Sequence, residues 1–379
     1  MAKKSNLTPP LTKKQLSRQE REERQRRILF AIVGVTLAAA ALVLGYGVYQ
    51  EYIVKPSSPV AVINGETITT RQYQAMVRYR RFDLRNQIGV LQAQLLQLDP
   101  TAQDQQFLVE YLQRQIDQLQ NQETSLPYEV FEDMIDDRLV RQEAARRGIS
   151  VSEQEVQDEI EQQFGFERNP PTPTPTPITA TLTITATPTP TTALMSLEQF
   201  NKNYTDYVVA VRNAGFSEAD FRDLFAQSLY RQKLQEVLAE EVPATEEQVR
   251  ARHILVETEE EAQQVLERLE AGEDFGALAT ELSTDPGSEG GDLGWFPRGQ
   301  MVAEFEEAAF GLQPGEISDP VQTSFGYHII EVLERESDRP LEEPMLQQKK
   351  AAALTEWLQE ARQGEGVERY WSSAKVPSN

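Results

Sequence analysis

"FGYHIIEV", residues 325–332, is a strand-like run with a histidine at its centre. "RHILVE", residues 252–257, places the chain's one other histidine in the same kind of setting. Both runs read as strands buried on at least one face. Between them, "EEEAQQVLERLEAG" (259–272) sets Ala262, Val265, Leu266 and Leu269 at helical spacing before a terminating glycine. "DFGALATELS" repeats that spacing with Phe275, Leu278, Ala279 and Leu282. A turn-rich stretch, "TDPGSEGGDLGWFPRGQ", leads to a short helical pattern, "VAEFEEAAF". Then "GEISDPVQTSFGYHIIEVLER" supplies two strand-like runs. The order β-α-α-loop-β-α-β-β predicts an α+β unit over residues 246–335.

This unit is under a quarter of a 379-residue chain, so further folding units are expected. The net charge of −23 is unevenly placed. Residues 1–27 hold nine Lys/Arg against three Glu, a basic tail of +6, and the rest carries −29. So acidic a surface argues against nucleic acid as a partner, because phosphate contacts depend on Lys and Arg. Without cysteine the chain has no disulfide, thiolate metal site or lipid-modified cysteine. Residues 28–49 are free of charge, and at 1.5 Å per residue they span roughly 33 Å, enough for a bilayer core. The basic cluster before them predicts a single-pass anchor with a cytoplasmic N-terminus, the bulk of the chain lying outside the cytoplasm. A cleaved signal peptide is disfavoured because the apolar run continues past Ala38–Ala41.

Residues 60–240 read as mostly helical. "VAVINGETITTRQ" gives strand, Asn64-Gly65 turn, strand and a capping box at Thr69 and Gln72. Two Gln-rich helices, broken at Asp99-Pro100-Thr101, are expected next, with a third opening at Pro127 and a fourth at Ser152. A Pro/Thr-rich loop at 167–193 interrupts this domain; alternating Thr-Pro favours extended polyproline II and builds no core. Helical pattern returns at Leu197 and again after Ser217. Residues 341–379 are expected to form a further helix and a tail, with a short edge strand near "VERYW".

The order of motifs over 246–335 resembles the parvulin family of peptidyl-prolyl cis-trans isomerases. "HIL" at 253, "LSTDPGS" at 282, "GGDLGWFPRGQMVAEFEEAAF" from Gly290 and "GEISDPVQTSFGYHII" from Gly315 carry the match. "NGETIT" and "FEDMIDDRLVRQEAARRGISVSEQEV" are similar to the chaperone domains of exported foldases of the SurA, PrsA and PpiD type. The resemblance implies an antiparallel sheet with surrounding helices joined to a helical chaperone-like domain, on which residues 341–379 return to pack. It also implies catalysis of X-Pro rotation on unfolded or nascent exported polypeptides containing proline.

The resemblance assigns the proline socket to Leu293, Met301, Phe305 and Phe325, and puts Asp285 where other parvulins carry Cys or Asp. His253 and His328, on neighbouring strands, are expected to hydrogen-bond to each other beneath Asp285 and Thr323. Taken alone, Met301 and Phe305 read as ordinary core, and Asp285 as the start of an Asp-Pro-Gly turn. No metal is expected, since no second carboxylate follows the histidines at ligand spacing. Rotation about an amide needs no cofactor and no nucleophile. The loop "ETEEEAQQ" after the first strand is acidic where phosphate-reading parvulins are basic, so the reading is not phospho-specific. The competing reading is a holdase in which the parvulin unit mainly binds peptide.

Overall fold

The computed structural model describes residues 26, 29, 35–37, 39–99, 102–168, 195–285 and 289–378. The basic tail, apart from Arg26, and nearly all of the Pro/Thr-rich loop lie outside the described residues, as do several positions of the expected anchor. Among the described residues one helix, Val35–Ser57, is long and apolar enough to cross a membrane. It runs past Tyr49 through a π-type turn at Gln50–Val54.

The chain divides into two compact units, one of residues 1–232 and 358–379, the other of 233–357. In the first, β1 (Pro59–Ile63) and β2 (Glu66–Thr69) form a hairpin. Asn64 and Gly65, with φ of 49° and 86°, supply the two left-handed positions of a two-residue turn. Helix α1 (Thr70–Leu95) opens with the reciprocal Thr69–Gln72 capping box. Helix α2 (Gln106–Arg146) is continuous through Pro127, which corrects the expectation of a new helix there. Proline inside a helix removes one hydrogen bond and costs about 3 kcal/mol. Here Pro127 is buried with Leu126, Val130 and Phe131, and its carbonyl accepts the Tyr73 hydroxyl at 2.9 Å. Packing along the whole face outweighs the local penalty. Helices α3 (Glu153–Gln163), α4 (Leu197–Asn213) and α5 (Glu218–Glu241) follow.

The second unit is built on an antiparallel sheet of order β4-β3-β6-β5. Its elements are β3 (Thr245–Val256), α6 (Glu259–Glu270), α7 (Phe275–Leu282), β4 (Asp292–Pro297), α8 (Ala303–Gly311), β5 (Val321–Thr323) and β6 (Gly326–Pro340). Strand alternation sends Ile254, Val256 and Ile329 to one face, where Ala262, Val265, Phe275 and Leu278 of α6 and α7 cover them. Val249, Ala251, Ile330 and Val332 face the other way, against Phe305, Ala309 and Phe310 of α8. β3 and β6 pair over their full length, from Val256 opposite Tyr327 to Thr245 opposite Pro340.

Helix α9 (Glu343–Arg362) and β7 (Val367–Arg369) end the chain. β7 joins β1 as an edge strand, giving the order β2-β1-β7. Trp371 then stands edge-on to Tyr128 at 5.5 Å and donates its indole N–H to the Tyr73 hydroxyl at 2.8 Å. Arg362 clamps the buried Asp136 carboxylate with two hydrogen bonds, Nε to Oδ1 at 2.6 Å and a second to Oδ2.

Candidate active site

His253 lies opposite Ile330, and Leu255 opposite His328, so the antiparallel register puts both histidines on one face as diagonal neighbours. Their Nδ1 atoms are 3.0 Å apart, and the rings are tilted by only 19°. His253 Nε2 reaches Asp285 Oδ2 at 2.8 Å, and His328 Nε2 reaches Thr323 Oγ1 at 2.8 Å. One chain of hydrogen bonds thus runs Asp285, His253, His328, Thr323.

With both imidazoles neutral, the partners fix the direction of every bond along this chain. A carboxylate only accepts, so His253 Nε2 carries the hydrogen and its Nδ1 accepts. His328 Nδ1 must then donate, which leaves its Nε2 to accept from the Thr323 hydroxyl. Thr323 in turn accepts the Phe325 backbone N–H at 3.1 Å. This arrangement requires neutral His328. Burial, then the neighbouring His253, push the His328 pKa down to about 4, against an opposing pull from Asp285.

The loop bearing Asp285 is tied to β3. Ser283 Oγ accepts the N–H of Leu255 at 3.1 Å and that of Asp285 at 3.3 Å, and the Thr284 N–H meets the Leu255 carbonyl at 2.7 Å. Sequence reading missed Ser283; its only signal is a hydroxyl two residues before an aspartate at a helix end. Gly291, with φ of 81°, lets β4 approach closely, since a Cβ there would meet the His253 carbonyl oxygen.

Phe305 stands edge-on to both imidazoles, at 5.8 Å from His253 and 5.3 Å from His328. Leu293 and Met301 are partly buried against the cluster that contains Phe305. Phe305 brings an apolar face to the imidazole pair. Phe325 differs from its reading as part of a buried strand: it precedes β6 and is 68% exposed. Its backbone is anchored through Thr323 while its ring is left to solvent.

Comparison with known proteins finds two family models and a set of relatives. The PPIC-type PPIASE domain family matches residues 244–334, and the SurA-like N-terminal domain family matches residues 21–171. The foldase protein PrsA of Geobacillus sp. (strain WCH70) is 38% identical over 194 residues, covering 48% of this chain and 68% of the relative. That of Geobacillus kaustophilus is 43% identical over 161 residues, covering 39% of this chain and 56% of the relative. Among solved structures, the parvulin of Nitrosopumilus maritimus is 49% identical, covers 23% of this chain and 96% of its own, and has a TM-score of 0.22.

Proposed function

The chain belongs to the PrsA foldases and carries a peptidyl-prolyl cis-trans isomerase domain, and from that premise we propose how its residues turn an X-Pro bond. The barrier to rotation is about 18–20 kcal/mol, because the C–N bond is partly double. No covalent bond has to break. The enzyme needs a grip on the proline ring and a field that disfavours the planar, charge-separated amide. Leu293, Met301 and Phe305 supply the grip by excluding water from the pyrrolidine, with Phe325 closing the rim.

Asp285 supplies the field. Negative charge beside the substrate carbonyl opposes build-up of charge on its oxygen, so the planar resonance form is weakened and the twisted form is relatively favoured. His253, His328 and Thr323 hold that carboxylate in place. The reading rests on the continuous Asp285–His253–His328–Thr323 chain lying edge-on to Phe305.

Thr258 caps α6, and Glu259, Glu260 and Glu261 fill its first turn. This acidic stretch repels a phosphorylated residue before proline and favours an apolar or basic one. The substrates are unfolded exported polypeptides. The helix Val35–Ser57 tethers the chain to the membrane as a single span, with the short N-terminal side in the cytoplasm.

The test is isomerisation of a short proline peptide by the full-length chain beside its Met301→Ala/Phe305→Ala variant, with folding checked by circular dichroism. Loss of about 2–3 kcal/mol of transition-state binding lowers kcat/KM on the order of a hundredfold. A folded double variant with unchanged kcat/KM refutes the socket.

A further inference from the structure

The helix Val35–Ser57 runs into the first unit with almost no linker, since Ser58 alone separates it from β1 at Pro59. The Ser58 carbonyl accepts the Thr70 backbone N–H at 2.8 Å and the Thr70 hydroxyl at 2.9 Å, which fastens the helix end to the start of α1. A cleft of about 360 Å³ opens at this junction. Glu51 and Lys55 line it from the helix, Thr70 and Gln74 from α1, and Ser372 and Lys375 from the C-terminal tail. In a chain of net charge −23, the charged residues of this lining are two lysines and one glutamate.

Lys375 lacks a counter-charge. Its ammonium donates to the Pro59 carbonyl at 2.7 Å and the Tyr370 carbonyl at 2.6 Å, and it makes no ion pair among the described residues. Burial pushes its pKa down, with no carboxylate to oppose the fall. An ammonium has three hydrogens, so one remains for a ligand. Lys55 is bonded to Glu51 at 2.5 Å on an exposed face and has two hydrogens left. The Ser372 hydroxyl stands before the short turn Ser373–Lys375 without capping it.

Position chooses the anion. Tyr46, Tyr49 and Tyr52 are each more than half exposed near the outer end of the helix, and such aromatic residues mark headgroup level. Lys55 follows Tyr52 by three residues, about 4.5 Å along a helix. A phosphate or carboxylate arriving from bulk water must approach a chain of −23. A lipid phosphate is already held at this depth by its own acyl chains, so its local concentration is high.

We propose that this cleft binds the phosphate of an anionic lipid headgroup, with Lys375 and Lys55 on its oxygens and the Ser372 hydroxyl beside them. The proposal rests on the reading of Val35–Ser57 as a membrane anchor and adds a lipid site to it. Gln74 donates to the Lys375 carbonyl at 3.0 Å, so a lipid on Lys375 ties α1, β1 and the tail of the first unit to the bilayer surface.

The probe is dioleoylphosphatidylglycerol, counted as bound lipid by native mass spectrometry of the full-length chain released from detergent micelles. Dioleoylphosphatidylcholine is the neutral counterpart. Wild type should retain one phosphatidylglycerol in preference to phosphatidylcholine. Lys375→Gln should bind it at least about tenfold more weakly, because a charge-assisted bond is lost, and Lys375→Arg should bind it as wild type does. Lys55→Gln, at an exposed side chain, should weaken binding too, and it decides alone if circular dichroism shows Lys375→Gln unfolded. Isomerisation of a short proline peptide should be equal in all folded variants. Equal retention of the two lipids by wild type overturns the proposal, and so does unchanged retention of phosphatidylglycerol by folded Lys375→Gln. Release of the lipid by millimolar inorganic phosphate overturns it as well, since the cleft is then a free-phosphate site. Flotation with phosphatidylcholine vesicles tests the anchor separately. A chain that does not float yet selects phosphatidylglycerol through Lys375 keeps the headgroup site and loses the anchor. One that floats but holds both lipids alike keeps the anchor and loses the site.

Discussion

Acidification is the sharpest perturbation of the site, because burial holds the His328 imidazole neutral within the hydrogen-bond chain. In the unfolded chain this imidazole titrates at 6.5, and in the fold burial pushes it down to about 4. Between those values the unfolded state binds a proton that the folded state does not, so stability rises with pH across this window. It is complete above pH 6.5, falls by about 1.4 kcal/mol per unit below that, and stops falling near pH 4 after a total of about 3 kcal/mol. Carboxylates held low by arginine, such as Glu143 and Asp292, also lose their contribution, but only as pH falls below their own unfolded values of 4.5 and 3.8. Subtracting the profile of His328→Gln removes their share. The assay is native-state hydrogen exchange across β3 and β6 at a series of pH values, corrected for intrinsic rate, beside isomerisation of a short proline peptide. Wild type should lose about 3 kcal/mol more than the variant between pH 6.5 and 4, with activity level down to about pH 5.5. Parallel stability profiles, or an activity midpoint near 6.5, would show that burial does not hold His328 neutral and would refute the reasoning.

Three further outcomes follow from the geometry. His328→Gln should cost less activity than Met301→Ala/Phe305→Ala, since on the proposed reading the imidazoles organise the site and the apolar pair grips substrate; equal or greater loss in the peptide assay reverses that ranking. Arg362→Ala leaves the Asp136 carboxylate, 4% exposed, without its two charge-assisted bonds, and urea unfolding followed at Trp371 should show a loss of about 3 kcal/mol. Gly291→Ala forces a side chain against the His253 carbonyl at a left-handed φ, so the melting temperature should fall together with isomerase activity; a melt unchanged from wild type would mean that β4 yields freely there.

The site was legible largely because the chain has two histidines and both fall in strand-like runs. Alternation alone puts each imidazole inside the unit, and the register then sets the two diagonally beside each other. The helices α6 and α7 were equally plain, since their apolar spacing and capping residues agree, and Gly272 marks the end of α6. Pro127 misled because a proline at the head of an apolar run is also the ordinary mark of a helix start, and the burial that overrides it comes from residues far away in sequence. The end of β6 was hidden for a related reason. Glu336, Ser337, Asp338 and Arg339 carry no strand pattern, and they are held extended by pairing with the first half of β3. Ser283 was invisible because its hydroxyl acts only once the loop has closed on Leu255.

A buried polar chain is costly unless every member is matched, and here the matching dictates the chemistry. Each ring nitrogen of His253 and His328 already has a partner in the protein, so neither imidazole has a lone pair or hydrogen left for substrate. On the proposed reading, proton transfer to the substrate is therefore unavailable to the histidines, and bond rotation does not require it. Both ends of the chain, Asp285 and Thr323, are partly exposed, and Asp285 is the end that carries charge, its side chain 24% exposed against 7% for that of His253. On the proposed reading, charge is thereby confined to the end of the chain that faces substrate. A substitution that keeps the inner hydrogen bonds but removes that charge, Asp285→Asn, separates the two roles. With its amide oxygen accepting from His253, the fold persists and the field is lost, so kcat should fall while KM for a proline peptide holds. If KM rises and kcat does not change, Asp285 binds substrate and the source of the rotational catalysis lies elsewhere.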